Sequence, residues 1–438
     1  MTTIANIYKK FRQCQGFTTD TRKIEKGQMF FCLKGANFNG NKFATEALKK
    51  GAQFVVIDEE KYLNDKRMIL VDDVLKCMQD LANFHRRKFD IPVLGITGTN
   101  GKTTTKELVH AVLSRKYKTH ATAGNFNNHI GVPITLLSMP DDTEFAIIEM
   151  GANHRGEIEE LCQITEPDFG IITSIGKAHL EGFGDLQGVI TAKNELYKSI
   201  IEADGELFVN KDNELLMDLS AKADRKTYGQ SDDADTEGKL LVREAFVGVY
   251  WNGNEIISQL VGSYNFDNMM AAICVGESFG VAEEGIVAAL REYTPQNQRS
   301  QLLITEKNKI VVDAYNANPT SMIAALDSFQ LAEADSKLLI LGDMLELGKE
   351  SQFEHMSIVS RLKDMYPVDI FAKLKNRYFE DVILVGPEFL GVAKDSGFRC
   401  FEKNTEALEY LKTNYVEGKL VLLKGSRGIA LEVLLEVL

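Results

Sequence analysis

With 438 residues the chain is too long for one ordinary domain, and 44% hydrophobic with 26% charged residues is the balance of a globular protein with a sizeable core. Its 50 basic and 63 acidic residues give a formal charge of −13 and no basic stripe interleaved with aromatics, which argues against a nucleic-acid partner. Six scattered cysteines without a Cys-x-x-Cys pair argue against a zinc or redox centre and for a reducing, cytoplasmic setting, and neither a signal-peptide core nor an apolar run of about 20 residues predicts membrane insertion.

In chain order, the first region covers residues 1–90. MFFCLKG near Met29, AQFVVID near Ala52 and RMILVDD near Arg67 predict short strands, with a helix in FATEALKKG between the first two. A helix of the LKCMQDLANFHRRKF type leads out, and Pro92 marks the boundary. The second region, 91–297, opens with the strand IPVLGIT; EFAIIEM and FGIITSI are buried-type strands with helical patterns between them, which predicts a parallel sheet covered on both faces. GELFVN adds a strand. In FVGVYWNGNEIISQLVG, Asn252-Gly253 between alternating runs predicts a hairpin, and a helix containing NMMAAICVGESFG closes the region. The third region, 298–438, carries KIVVDAY, KLLILGDM, DVILVGP and KLVLLKG separated by helix-like segments, the pattern of a second, Rossmann-like sheet. The expected class is therefore α/β in three domains.

LGITGTNGKTTTKELV joins a strand, a glycine turn and a helix start. The commonest phosphate-loop pattern would place its first glycine at position 96, which is Ile96; this chain has Thr97-Gly98-Thr99-Asn100-Gly101-Lys102-Thr103 instead. The physical parts are present. Gly98 and Gly101 permit tight turns, and successive N–H groups from Gly98 to Thr104 together with the helix N-terminus can cradle an anion. Lys102 can neutralise β- and γ-phosphate charge, and the Thr103 hydroxyl can ligate Mg²⁺. The pattern predicts a central domain of phosphate-loop type that binds a nucleoside triphosphate.

Glu149 ends the strand FAIIEM, on the side where an open parallel sheet takes its ligands, and is a candidate Mg²⁺ ligand. His179, in GKAHLEGFG just past the next strand, reads from spacing alone equally as ligand or surface residue. Lys193, in ITAKNELYKSI, reads from composition as one solvated helix lysine among many.

The short form TGTNGKT resembles the Mur ligases and their relatives the folylpolyglutamate synthetases, which use ATP to activate a carboxylate and join it to an amine. The resemblance extends over nearly the whole chain. TTDTRKIEKGQMFFCLKGANFNGNKFATEALKKGA is similar to a uridine-nucleotide-binding first domain; GNFNNHIGVP, EMGANHRGEI, GKAHLEGFG, DAYNANPTSM, LGDMLELG and LKGSRG resemble the branch of the family that adds a dipeptide. Many members have Asp-Gly-His where this chain has Asn39-Gly40-Asn41.

The resemblance implies UDP-N-acetylmuramoyl-tripeptide and D-Ala-D-Ala as substrates in peptidoglycan precursor synthesis in the bacterial cytoplasm, with the protein acting as a monomer. It implies that His179 contacts a second Mg²⁺ and that Lys193 reacts with CO₂ to give a carbamate that bridges to that ion. By position, Asp20, Thr21, Arg22, Lys34 and Gly35 would lie near the uracil and diphosphate. Asn125, Asn127 and Asn128 would line the channel for the peptide substrate. Asn268 would meet adenine, and Arg299 and Asp313, with Tyr315 and Asn316, would reach the nucleotide from the third domain. Segments 343–346 and 424–427 would face the incoming dipeptide. His355 is a candidate for the amine's general base, though it also reads as a helix-surface residue. Another Mur-type or folylpolyglutamate-type ligase, or a phosphate-loop phosphotransferase or switch, remains the alternative at this stage.

Overall fold

The computed structural model describes residues 3–295, 299–365 and 381–438. The chain divides into two compact units, one formed by Met1–Gly95, Tyr117–Ala152 and Gly156–Phe169, the other by Ile96–Lys116, Asn153–Arg155 and Gly170–Leu438.

In the first unit the strands Phe17–Thr18, Met29–Phe31, Phe54–Ile57 and Met68–Leu70 pair in that order, all parallel. Parallel strands are covered on both faces, which is why MFF and FVVI are continuous apolar runs and not alternating ones. Phe30, Val55 and Ile57 form the core with Ala44, Ala47 and Leu48 of the segment predicted as a helix. The last three lie in the helix Ala44–Lys49, behind a 3-10 turn at Gly40–Phe43. The helix Val74–Arg86 is started by Asp73, whose carboxylate accepts the Lys76 N–H at 2.8 Å.

The second sheet has seven strands, in the order Thr236–Glu237, Asp224–Gly229, Glu206–Asn210, Phe169–Ile172, Val93–Thr97, Phe145–Glu149, Thr119–Ala121. Val93–Thr97 and Phe145–Glu149 are buried along their full length, as predicted for central strands. The glycine loop follows the C-terminal end of Val93–Thr97 and runs into the helix Lys102–Leu113. That helix packs on Asn265–Ser278, the helix that carries Asn268.

The third sheet departs from expectation. Among the described residues it has nine strands, in the order Lys239–Arg243, Phe246–Trp251, Asn254–Val261, Gln301–Ile304, Lys309–Asp313, Leu420–Lys424, Lys337–Gly342, Asp381–Val385, Arg399–Phe401. The predicted hairpin turns at Asn252 (φ +46°) and Gly253 (φ +79°), the left-handed pair a two-residue turn of this kind requires. Its second strand then bonds onward to Gln301–Ile304, so the hairpin and the third region share one sheet across residue 297. From Lys309–Asp313 onward the pairings are parallel, and the last strand, Leu420–Lys424, is inserted between Lys309–Asp313 and Lys337–Gly342. Among the described residues no helix is long and apolar enough to cross a membrane. All six cysteines are free.

Candidate active site

The glycine loop is held in shape from one side. Gly98 has φ +145°, and a Cβ there would stand 2.1 Å from the Thr173 Oγ1. The Thr99 N–H donates to the Ser174 carbonyl at 2.8 Å, and the Asn100 N–H to the Ser174 hydroxyl at 3.0 Å. The Thr173 hydroxyl donates to the Asn100 carbonyl at 2.6 Å, and the Gly176 N–H to the Thr99 hydroxyl at 3.0 Å. Gly101, at φ +83°, starts the helix Lys102–Leu113 with no side-chain cap. The N–H groups of a first helical turn have no intrahelical acceptor, and with the helix dipole they make an anion seat. Lys102 folds back onto the loop, donating to the carbonyls of Gly98 at 2.7 Å and Thr99 at 3.0 Å. Thr103 and Thr104 are buried in the first turn.

His179 lies in the same unit and takes a left-handed backbone, φ +50°, uncommon for a non-glycine residue. Its ring pairs with the Glu346 carboxylate, and the Glu181 N–H reaches the Glu346 carbonyl at 3.3 Å. Burial pulls the His179 pKa down, Glu346 opposes that, and Lys102 and Lys193 both add to the lowering. The phosphate-loop lysine, the histidine and the helix lysine therefore share one electrostatic environment. Lys193 is 2% exposed, its ammonium 5.4 Å from the centre of the Phe183 ring, so the reading of a solvated helix lysine is corrected.

In the other unit, Glu149 is 1% exposed at the end of its strand. It accepts from the Asn127 amide at 2.8 Å, and its N–H donates to the Thr122 hydroxyl at 2.9 Å. Asn127 also accepts the Gly151 N–H through its carbonyl at 2.7 Å. Asn128 accepts the N–H groups of Ile130 and Gly131 at the start of the next helix, while Asn125 is exposed. Among the described residues no group of three His, Cys, Asp or Glu side chains could hold a metal by itself. A buried strand-end carboxylate such as Glu149 is the kind of group Mg²⁺ accepts, since that ion takes one or two protein carboxylates and is otherwise held by phosphate oxygens and water.

Several of the expected nucleotide and dipeptide contacts take a different form. The Asn268 amide is spent beneath the loop: its oxygen accepts from Thr105 Oγ1 at 3.0 Å, and its nitrogen donates to Asn265 at 2.8 Å. Arg299 stacks on Tyr315 with its guanidinium 4.0 Å from the ring centre, and Arg427 approaches the same ring at 5.6 Å. Asn316 is exposed. Asp313 forms an ion pair with Lys424 at 2.5 Å, Lys424 being 2% exposed in its side chain. Asp343 is fully buried and accepts the N–H groups of Glu388 and Phe389 at 2.8 Å; burial raises its pKa, and those two N–H groups oppose the rise. Asp343 and Lys424 are thus internal ties and do not present themselves to an incoming dipeptide. His355 is corrected as well. It is fully buried, Nε2 accepts the Met344 N–H at 3.0 Å and Nδ1 faces the Ser351 carbonyl at 2.7 Å, which leaves no nitrogen to take a proton from an amine.

In the first region the Asp20 carboxylate closes on the N–H and guanidinium of Arg22, which holds its pKa well below the usual range. Lys50 donates to the Thr21 carbonyl at 2.9 Å. Lys34 and Gly35 are exposed on a short hairpin strand, with Lys34 3.1 Å from Asp58. Asn41 is buried, donating to Asp58 at 2.8 Å and accepting the Asp58 N–H at 3.0 Å. The Asn-Gly-Asn variation therefore pins the hairpin to the end of the strand Phe54–Ile57.

Sequence reasoning missed Thr173 and Ser174, which mould the loop, and Asn318 and Thr320, which reach the glycine loop and the His179 loop from the third region; Glu346, in the segment expected at the dipeptide, pairs with His179. The visible signal for the first pair was two hydroxyl residues at the end of the buried run FGII.

Residues 13–91 match the Mur ligase family catalytic domain, 96–276 the Mur ligase middle domain and 298–427 the Mur ligase glutamate ligase domain. The chain is 35% identical to the UDP-N-acetylmuramoyl-tripeptide–D-alanyl-D-alanine ligase of Bacillus subtilis (strain 168), covering 98% of this chain and 94% of that protein. It is 33% identical to the ligase of the same name from Escherichia coli (strain K12), over 95% and 91%. Among solved structures it resembles MurF from Acinetobacter baumannii, with a TM-score of 0.85 and 26% identity over 99% of this chain and 98% of that one. It also resembles the MurF ligase from Thermotoga maritima in complex with ADP, with a TM-score of 0.84 and 25% identity over 97% of each chain. The chain belongs to the Mur ligase family.

Proposed function

We infer that the chain is an ATP-dependent ligase that joins D-Ala-D-Ala to the terminal carboxylate of UDP-N-acetylmuramoyl-tripeptide. The observation that carries the reading is the open start of the helix Lys102–Leu113, with no side-chain cap, two left-handed glycines and Lys102 at the loop. The substrate carboxylate attacks the γ-phosphorus, ADP leaves, and an acyl phosphate results. The amine then adds to that carbonyl, and the tetrahedral adduct expels phosphate. Bringing an anion up to a polyanion is opposed by charge, so the loop N–H groups and Lys102 act by neutralising and aligning the phosphates.

Glu149, Thr103, His179 and Lys193 as its carbamate are the groups proposed to hold two Mg²⁺ ions, which when bound supply further positive charge. The burial of Lys193 supports the carbamate reading, because an adduct on that side chain would be shielded from bulk water. We assign 1–90 to the uridine-nucleotide substrate, 91–297 to ATP and 298–438 to closure over the nucleotide, in a monomeric cytoplasmic enzyme.

The test is one reaction: purified protein, ATP, Mg²⁺, UDP-N-acetylmuramoyl-tripeptide and an amine, followed by mass analysis. D-Ala-D-Ala should give the pentapeptide, while D-Ala, L-Lys and glutamate should give no product. ATP consumption with no acceptor-dependent gain of mass would refute the assignment.

A further inference from the structure

We propose that Asn318 is a positioning residue for the glycine loop, reaching it from the third region through a side-chain amide pair with Asn100. The proposal rests on the reading of that loop as the seat of the triphosphate.

Asn318 precedes the helix Pro319–Leu331 and caps it: its oxygen accepts the Ser321 N–H at 2.8 Å, and the Ser321 hydroxyl accepts the Asn318 N–H at 3.1 Å. Capping alone needs only an oxygen, and Ser, Thr or Asp would serve there about as well. What asparagine adds is an NH₂ group, which donates to the Asn100 side-chain oxygen at 2.8 Å, and the Asn100 NH₂ returns a longer bond of 3.4 Å. Asn318 is 4% exposed, so the pair is shielded from competing water.

On the loop side, Asn100 is already held through its backbone by Thr173 and Ser174, so its side chain is the one part of the residue that those strand-end hydroxyls do not hold. The next residues of the same helix repeat the arrangement. Thr320 Oγ1 accepts the Lys177 N–H at 3.1 Å, and that oxygen lies 2.5 Å from where a Cβ on Gly176 would stand. One helix start therefore touches both the glycine loop and the loop that carries His179. The seat for phosphate is shaped from two sides, by Thr173 and Ser174 beneath and by Asn318 from the third region.

The experiment is a double-mutant cycle on binding of a non-hydrolysable ATP analogue, using the full chain as wild type, Asn318→Ser, Asn100→Ala and the double variant. Serine preserves the helix cap and is too short to reach Asn100, so the thermal midpoint without nucleotide should stay near that of wild type. Losing the amide pair should weaken analogue binding about five-fold, the effect of one net hydrogen bond. On the Asn100→Ala background Asn318→Ser should cost nothing further, which a merely structural role would not produce. Asn318→Asp, also a good cap, serves as a second variant and should weaken binding at least as much. Unchanged affinity in Asn318→Ser, or a loss that adds in full to that of Asn100→Ala, overturns the proposal. Failure of the wild type to bind the analogue would overturn the reading of the loop itself, an outcome distinguishable from the other two.

Discussion

Replacing Gly98 by alanine adds one methyl group at a place where two independent costs meet. The backbone stands at φ +145°, a conformation that costs an L-residue of order 1–3 kcal/mol. The new Cβ would also lie 2.1 Å from Thr173 Oγ1, far inside contact distance. That oxygen cannot turn away freely, because it donates to the Asn100 carbonyl at 2.6 Å and faces the Thr97 carbonyl at 3.2 Å. Displacing it forfeits about 1 kcal/mol of hydrogen bonding and leaves a buried carbonyl short of a donor. The sum is roughly 3 kcal/mol, a large part of the stability of an ordinary domain. The single tryptophan, Trp251, is 3% exposed in the hairpin of the same unit, so its fluorescence under urea is a suitable probe. Gly98→Ala should move the midpoint to lower urea and abolish binding of a non-hydrolysable ATP analogue. Adding Thr173→Ala removes the clashing atom but not the φ penalty, so the double variant should be more stable than the two single losses predict. A Gly98→Ala protein with wild-type midpoint and affinity would show that the loop is not built as described.

Three further outcomes follow from particular contacts. Lys102→Ala removes the ammonium that now rests on Gly98 and Thr99; it should end phosphate release from ATP and weaken analogue binding by about 2 kcal/mol, the scale of a charge-assisted bond, with uridine-substrate affinity kept in a calorimetric titration. Asp313→Asn strands the buried Lys424 ammonium and should cost about 3–5 kcal/mol in urea unfolding, much of it recovered in Asp313→Leu/Lys424→Met. Asp267 has its pKa pushed up to about 6, chiefly by burial and then by Asp212, with Asn210 opposing. The folded state then holds its proton while the unfolded chain has lost it, so stability should fall as pH rises from about 4 to about 6 and stay level above; Asp267→Asn should remove that slope and gain about 3 kcal/mol at pH 7 with no change below pH 4. An identical pH–stability curve in the variant would refute the Asp267 assignment.

Much of the fold was legible because its strands are central and parallel. Runs such as VLGIT, FAIIE and LVLLK are buried on both faces, so their apolar character is continuous and needs no knowledge of neighbours. The hairpin at Asn252-Gly253 was legible for a different reason, since its turn demands two left-handed residues. Short edge strands such as Thr119–Ala121, Thr236–Glu237 and Arg399–Phe401 were not, because two or three residues carry no period to read. The glycine loop announced itself through strand, glycines and lysine together. Lys193 and His355 were opaque from composition because burial of a single polar side chain depends on what packs over it, and that information sits on other segments. The same holds for Asn318, whose partner lies 218 positions earlier in the chain.

Hydrogen bonding crosses the boundary drawn near residue 297. Strand Asn254–Val261 continues by hydrogen bonds into Gln301–Ile304, and the Val261 N–H donates to the Ser300 carbonyl at 3.1 Å. Tyr264 reaches the Ser300 hydroxyl at 2.8 Å just before the helix that carries Asn268. On one side of residue 297, therefore, the hairpin is completed by later strands. On the other, Asn318, Thr320 and Glu346 return to the glycine loop and to the loop of His179. The third region is therefore tied to the second through a shared sheet as well as through polar contacts to the two loops. Each of those contacts is a short polar bond of hydroxyl, amide or carboxylate, individually weak and geometrically demanding. Such bonds fix a loop only when the elements that bear them are rigid, and the capped, proline-started helix Pro319–Leu331 together with the shared sheet supplies that rigidity.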